Sequence, residues 1–201
     1  MTANLQTLAV GPVLANCYIL SLPGREDCVL IDPGGEPERI LTAVGGKKVA
    51  AVFLTHGHFD HIGGVDGVLE PDTKLYIHAL DMPMLYAADK NLSSHWEMPF
   101  TVQKKALPVN EGDVIRAAGM DFTVLHTPGH TKGGACYKAE ECLFSGDTLF
   151  QHGYGRTDLP GGSWPELYES LKRLLVLQKD LKVYPGHNEP TTIATEQEFF
   201  Q

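Results

Sequence analysis

The stretch Val49-Ala50-Ala51-Val52-Phe53-Leu54-Thr55-His56-Gly57-His58-Phe59-Asp60-His61 joins an apolar run to four ligand-type side chains in six positions. Its first six residues, bounded by Lys47-Lys48 and by the histidines, read as a buried strand. The histidines follow where that strand gives way to a loop, which is where α/β folds place their chemistry. On a helix, two histidines share a face at i,i+4 spacing. His56 and His58 are two apart, and that spacing converges only in an extended or turning backbone. A packed core has little use for three imidazoles and a carboxylate side by side, whereas a divalent transition metal needs that density. A purely structural zinc site prefers thiolates with every position closed. No cysteine lies near this cluster, so the donors point to an open, hydrolytic site.

Working outward, three more apolar runs end in turns that carry a ligand-type residue. Phe122-Thr123-Val124-Leu125 leads to His126-Thr127-Pro128-Gly129-His130-Thr131. Cys142-Leu143-Phe144 leads to Ser145-Gly146-Asp147-Thr148, and Leu181-Lys182-Val183-Tyr184 to Pro185-Gly186-His187. Rigid strands fix such side chains, and glycine lets the backbone come close to bound ions. A lone Asp or His in any of these turns would be unremarkable; the repeated placement is the signal.

The ordered set His56-Gly57-His58-Phe59-Asp60-His61, His130, Asp147 and His187, with the earlier turn Ile31-Asp32-Pro33-Gly34-Gly35, resembles the metallo-β-lactamase superfamily. The resemblance implies an α/β fold, a four-layer αββα sandwich, and two divalent ions, zinc first with iron or manganese as alternatives. It implies that one ion is held by His56, His58, His130 and Asp147. The second would be held by Asp60, His61, His187 and the same Asp147, which bridges. A cysteine-ligand lactamase would have Cys where Asp147 stands, and a flavodiiron protein Glu where His58 stands.

Within the superfamily, Thr127-Pro128-Gly129-His130-Thr131, Gly146-Asp147-Thr148-Leu149-Phe150 and Pro185-Gly186-His187-Asn188-Glu189-Pro190-Thr191-Thr192 are similar to the glyoxalase II group. Full-length members carry a C-terminal helical domain with basic residues for glutathione carboxylates. This chain ends soon after Thr192 and is expected to be a short form without that domain. The resemblance implies hydrolysis of an anionic thioester. Two ions roughly 3.5–4 Å apart clamp a shared hydroxide and the reacting carbonyl, with Asp60 orienting the nucleophile. Binding lowers the pKa of water towards ~7. A thiolate leaving group, with a free pKa of about 8.5, needs little acid help. Two alternatives stay open: a mononuclear-iron persulfide dioxygenase, and a lactone or other ester hydrolase. A non-catalytic metal-binding protein is disfavoured by the complete donor set. No G-x-S-x-G nucleophile elbow is present.

On the substrate side, Arg156 in Gly153-Tyr154-Gly155-Arg156-Thr157-Asp158 is expected to meet a carboxylate bidentately or to pair with Asp158 and brace its loop. Tyr154 is expected to line the cleft or to pack, and the polar-aromatic loop 93–100 to form a wall. His126 and Asp32 are expected to orient ligands by hydrogen bonds. His78, His95 and His152 are left without a role.

Sixteen basic against twenty-five acidic residues give a net charge of −9, which argues against nucleic-acid binding. The length, 201 residues, fits one domain, 1–201, large enough for a sizeable core. Cys17, Cys28, Cys136 and Cys142 form no C-x-x-C pair and read as buried reduced thiols. With no Lys or Arg before Arg25 the N-terminus makes a poor signal peptide, and no run nears the ~20 apolar residues of a span. A cytoplasmic location is the expectation.

Strands are predicted near 5–10, 16–22, 27–32, 49–55, 73–78, 113–117, 120–126, 133–138, 141–145 and 181–184. Helices are predicted near 37–44, 61–69, 80–90, 164–178 and 191–200. The 164–178 helix has the sharpest signature. Ser163-Trp164-Pro165-Glu166 is a capping box with proline in the first turn, and Leu167, Leu171, Leu174 and Leu175 follow on one face.

Overall fold

The computed structural model describes residues 3–200. Strands β1 (Asn4–Val10), β2 (Ala15–Ser21), β3 (Asp27–Ile31), β4 (Lys48–Leu54), β5 (Lys74–His78) and β6 (Leu107–Val109) form one sheet in that spatial order. The first three run antiparallel, and β3 to β6 run parallel. The second sheet contains β7 (Val114–Ala117), β8 (Met120–His126), β9 (Ala135–Ala139), β10 (Cys142–Gly146), β13 (Lys182–Pro185) and β14 (Thr191–Thr192). Its order is β14-β13-β10-β9-β8-β7, with only β10 and β13 parallel neighbours. A small hairpin, β11 (Leu149–Phe150) with β12 (Gly153–Tyr154), stands beside it.

The alternation of side chains along each strand sets the layers. On β4, Ala51 and Phe53 face the second sheet, where Phe53 stacks on Phe122 with ring centroids 4.6 Å apart. Val52 and Leu54 face outward, onto Ile40 and Val44 of α1 (Pro37–Val44), Ile62 of α2 (Phe59–Ile62) and Val65 of α3 (Val65–Val68). Leu85 of the single turn α4 (Met82–Leu85) joins that outer cluster. On the far side, Leu167, Leu171 and Leu174 of α5 (Trp164–Leu175) and Ile193 of α6 (Ile193–Phe199) cover Leu143 and Val183. Each large side chain so buried contributes about 1.5–3 kcal/mol. The result is the four-layer αββα sandwich. Among the described residues no helix is long and apolar enough to cross a membrane.

Several elements depart from the sequence reading. The helix expected over 61–69 is two single turns, interrupted at Gly63-Gly64, where added Cβ atoms would lie 2.7 Å and 2.9 Å from the carbonyl oxygens of Gly34 and Pro33. The helix expected over 80–90 reduces to Met82–Leu85, followed by turns and a 3₁₀ turn at Ser93–Trp96. Here side chains supply what a helix would have: Asn91 accepts from the Ser93 amide and donates to the Phe100 carbonyl. Strands β6, β11, β12 and β14 are too short, at two or three residues, to show a period. Half of the α5 capping box is in place: Ser163 Oγ accepts from the Glu166 amide at 3.5 Å, while the Ser163 amide donates to the Gly129 carbonyl at 2.8 Å rather than to the Glu166 side chain. Cys17, Cys28 and Cys136 are buried, Cys142 is partly so, and all four are free thiols.

Candidate metal centre

Strand β9 is antiparallel to both β8 and β10, so β8, β10 and β13 point the same way. The carboxyl ends of these three strands meet the carboxyl ends of β3 and β4 across the sandwich. Asp32 follows β3, the cluster 56–61 follows β4, His130 lies four residues past β8, Asp147 follows β10 and His187 lies two past β13. Cross-sheet hydrogen bonds lock this end. The Ala135 amide donates to the Thr55 carbonyl at 2.8 Å, the Tyr137 hydroxyl to the Leu54 carbonyl at 2.9 Å, and the Tyr18 hydroxyl to the Pro185 carbonyl at 2.5 Å.

The side chains gather into three groups with ligand atoms inside 4.8 Å of one another: His56, His58 and His130; His56, His61 and Asp147; and Asp60, His61 and His187. Asp147 stands between the outer two. Its Oδ2 is 3.5 Å from His130 Nε2 and 3.7 Å from His187 Nε2, while its Oδ1 is 3.5 Å from His61 Nε2. Asp60 Oδ2 is 3.3 Å from His187 Nε2 and 3.6 Å from His61 Nε2. Most of these separations are long for hydrogen bonds. They match two donors about 2.1 Å from one tetrahedral ion, which lie about 3.4 Å apart.

A more direct test of fit is the set of orphaned atoms. His56 Nε2, His58 Nε2, His61 Nε2 and Asp147 Oδ1 are buried without a hydrogen-bond partner. Four such atoms within one small space are costly unless something accepts their lone pairs. The ring of His130 is turned for the same purpose. Its Nδ1 donates to the Arg156 carbonyl at 2.7 Å, which leaves Nε2 unprotonated, an acceptor 2.9 Å from His58 Nδ1. His61 Nδ1 donates to Asp32 Oδ2 at 2.9 Å, and Asp32 in turn accepts from the amide and hydroxyl of Thr55 at 2.8 Å and 2.5 Å. Asp32 therefore orients His61, as a carboxylate behind a ligating imidazole does.

The electrostatics call for a cation. Burial and the neighbouring His61 hold His56 well below the ordinary imidazole range. Burial, with His130 next, lowers His58 to about 3. His61 runs the other way. Burial lowers it, but Asp60, Asp32 and Asp147 outweigh that and lift it to about 10. Asp60 is pushed up by burial and pulled further down by His61 and His187, so it is ionised at neutral pH. A positive charge is thus wanted among three carboxylates while the adjacent imidazoles stay neutral. Divalent ions satisfy both demands.

Two backbone positions let these groups approach. Gly146 has φ +49°, and a Cβ there would lie 2.3 Å from Thr55 Oγ1. A Cβ at Gly186 would lie 2.2 Å from Asp147 Oδ1 and 2.8 Å from His61 Cε1.

Above the donors opens a cleft of about 490 Å³. His58, Asp60, His130, Asp147 and His187 form its floor, and Phe59, Trp96, Phe150 and Tyr154 its walls. Trp96 comes from the 93–100 loop and packs on Phe59, ring centroids 5.2 Å apart. Tyr154 lines the cleft and packs on Trp164 at 5.0 Å. Arg156 stands at the rim with its fork on Asp158, Nε and one terminal nitrogen each 2.7 Å from a carboxylate oxygen. His126 departs from its expected place. Its ring stacks on His78 at 4.0 Å and its Nε2 donates to the Lys132 carbonyl, because the chain turns away through Thr127-Pro128-Gly129 before His130 reaches the centre. His95 and His152 are exposed. The expectations missed Asp81, whose carboxylate is bonded to both ligand loops. It follows strand Lys74–His78, so the rule of an acid after an apolar run was available for it too.

Residues 10–187 match the Metallo-beta-lactamase superfamily, and the chain belongs to it. Among its relatives, "Probable metallo-hydrolase YqgX" of Bacillus subtilis is 37% identical over 95% of this chain and 93% of its own length. "Hydroxyacylglutathione hydrolase GloC" of Haemophilus influenzae is 30% identical over 96% and 95%. Two solved structures are similar throughout. BLEG-1, a B3 metallo-beta-lactamase, superposes with TM-score 0.90 at 36% identity, covering 97% of each chain. TTHA1623 in a di-iron-bound form superposes with TM-score 0.85 at 37% identity, covering 96% of this chain and 98% of that one. At the level of class the protein is a metallo-hydrolase of this superfamily with a His/Asp metal site.

Proposed function

We propose that the protein hydrolyses an anionic hydroxyacyl thioester, in the manner of a hydroxyacylglutathione hydrolase, at a centre of two divalent ions. The observation that carries the reading is the convergence of seven His and Asp donors, four of them with an orphaned buried atom, beneath an open cleft. His56, His58, His130 and Asp147 would hold one ion, and Asp60, His61, His187 and Asp147 the other. The di-iron-bound TTHA1623 and the GloC relative support the pair of ions and the thioester. Bound there, the ions would supply an activated water at neutral pH and a Lewis acid for the carbonyl oxygen.

The chain's own residues do the rest. Asp60, ionised and facing the cleft, is placed to orient the attacking water by accepting its hydrogen bond. Asp32 fixes the ring of His61, and the Arg156 carbonyl fixes that of His130, so neither ring can swing as charge develops. Trp96 and Phe59 would exclude water from one side of the bound acyl group. Arg156 would take a substrate carboxylate by exchanging Asp158 for it.

Metal analysis of purified protein beside a thioesterase assay tests this. About two equivalents of metal and saturable thioester cleavage, abolished by chelation and restored by metal, are expected. One equivalent of iron with oxygen uptake on a persulfide would overturn it in favour of an oxidoreductase. Cleavage of lactones but not thioesters would overturn the substrate class alone.

A further inference from the structure

We propose that Asp81 is a positioning residue for the metal centre: its buried carboxylate holds the loops carrying His56, His58 and His130 at the spacing a shared ion requires. This rests on the reading that those three imidazoles bind an ion.

Asp81 sits in the turn after Lys74–His78 and is 1% exposed. Its Oδ2 accepts from the Gly57 amide at 3.2 Å and from the Thr131 hydroxyl at 2.7 Å, and its Oδ1 accepts from the Gly133 amide at 2.7 Å. Gly57 lies between His56 and His58, in the loop of the first sheet. Thr131 is the neighbour of His130, in the loop of the second. One carboxylate therefore ties together the two loops whose imidazoles face each other at 2.9 Å, His58 Nδ1 to His130 Nε2. Asp81 does not line the cleft, so it touches no reacting group.

The chemistry of this seat selects Asp. All three partners donate, and an ionised carboxylate is acceptor-only on both oxygens. An asparagine would turn its NH2 towards at least one backbone N–H in either orientation, leaving two donors face to face. The seat is also moulded to its occupant: a Cβ on Gly133 would lie 2.5 Å from the Asp81 amide nitrogen and 2.7 Å from Oδ1. Burial raises the Asp81 pKa, and the Thr131 hydroxyl and the two amides work against that rise. A buried carboxylate without a counter-cation is otherwise costly, which makes its place between the two loops informative.

The test is cobalt(II) binding, read by chelator competition and by the visible ligand-field spectrum, on wild type, Asp81→Asn, Thr131→Val and Thr131→Ser. Far-UV circular dichroism establishes folding. Asp81→Asn should lose about 10–100-fold in affinity for the tighter cobalt and change its spectrum, the range expected when a ligand's outer support is removed. Thr131→Val should move the same way by less, and Thr131→Ser, which keeps the hydroxyl, should behave as wild type. A folded Asp81→Asn with wild-type affinity and spectrum would overturn the proposal. Should Asp81→Asn not fold, unchanged cobalt binding by Thr131→Val would overturn it just as well. Wild type that takes up no cobalt would sink the metal reading itself, and this proposal with it.

Discussion

The floor of the cleft and its rim are built on opposite principles. On the floor, His56, His58 and His61 are 3% exposed or less, their rings are pinned, and four polar atoms lack any protein partner. At the rim, Trp96 and Tyr154 are about half exposed, and Arg156 already has its partner in Asp158. The floor is under-satisfied and rigid. The rim is satisfied and open to solvent. An under-satisfied buried cluster is tolerated in a folded protein when something outside the chain completes it. A satisfied rim can be changed with little cost to folding, and that is where relatives sharing one floor can differ in substrate.

The largest effect that would separate the two regions is expected from Asp147→Ala. This residue stands between both donor groups, so its loss should remove metal from both, by more than the roughly 10–100-fold typical of an outer partner. Retention of two equivalents after dialysis, measured by elemental analysis, would deny it the bridging place. Removing His187, which stands with Asp60, His61 and Asp147 and in no group with His56 or His58, should weaken one equivalent and spare the other.

Gly186→Ala comes next. The added methyl would press on Asp147 Oδ1 and on His61 Cε1, whose ring Asp32 holds, and would lie 3.1 Å from the Gly146 backbone. Overpacking of this kind costs about 1–3 kcal/mol, and here it should appear as metal loss together with a lower Tm. A variant with wild-type Tm and metal content would mean the floor is softer than its contacts indicate.

The contrast also explains which parts the sequence discloses. The floor is legible because a ligand-type residue after an apolar strand is rare, and four strand ends repeat it: His56 to His61, His130, Asp147 and His187. The α5 helix is legible because its cap and its leucine face lie close together, between Ser163 and Leu175. Asp81 obeys the same strand-end rule but is a single ligand-type residue between the apolar Leu80 and Met82, so nothing marks it until its three partners are seen. His126 misleads for the converse reason: it adjoins a ligand loop in sequence, yet its ring stacks on His78. The rim is the least legible, since Phe59, Trp96 and Phe150 meet through tertiary packing that no local period encodes. The short turns at 59–68 and 82–85 fail as predicted helices because glycine crowding and side-chain hydrogen bonds override propensity.

A subtler difference should appear in the pH dependence of stability. In chelator-treated protein His56 and His58 are depressed, so below about 6.5 the unfolded chain binds protons that the folded one refuses. Stability therefore falls as pH drops from there towards about 3. The raised His61 contributes stability that is full below about 6.5 and is lost as pH rises through about 10. The Tm of metal-free protein should peak near 6.5 and fall on both sides. Loaded with metal, the alkaline limb should flatten, because the ions replace the His61 proton, and the acid limb should steepen as donors are reprotonated. Thermal scans from pH 4 to 10 with and without chelator decide it. Identical curves would mean that these groups do not bind metal.

The smallest expected effect is at the rim, and it is the one that resolves the two uses of Arg156. Both members of the Arg156–Asp158 pair are more than half exposed, so neither Arg156→Ala nor Asp158→Ala should change Tm appreciably. Their kinetic effects should oppose each other if the guanidinium serves substrate. Arg156→Ala should raise KM for an anionic thioester more than it lowers kcat, the pattern of lost uniform binding. Asp158→Ala should lower KM, because it frees the fork that a substrate carboxylate would otherwise have to capture from Asp158. If the pair only braces the loop, the two variants should harm alike. The His130 ring would then move with them, since its Nδ1 is held by the Arg156 carbonyl, and kcat would fall in both. Steady-state kinetics of the two single variants, with a neutral thioester as control, separates a rim that selects substrate from a rim that supports the floor.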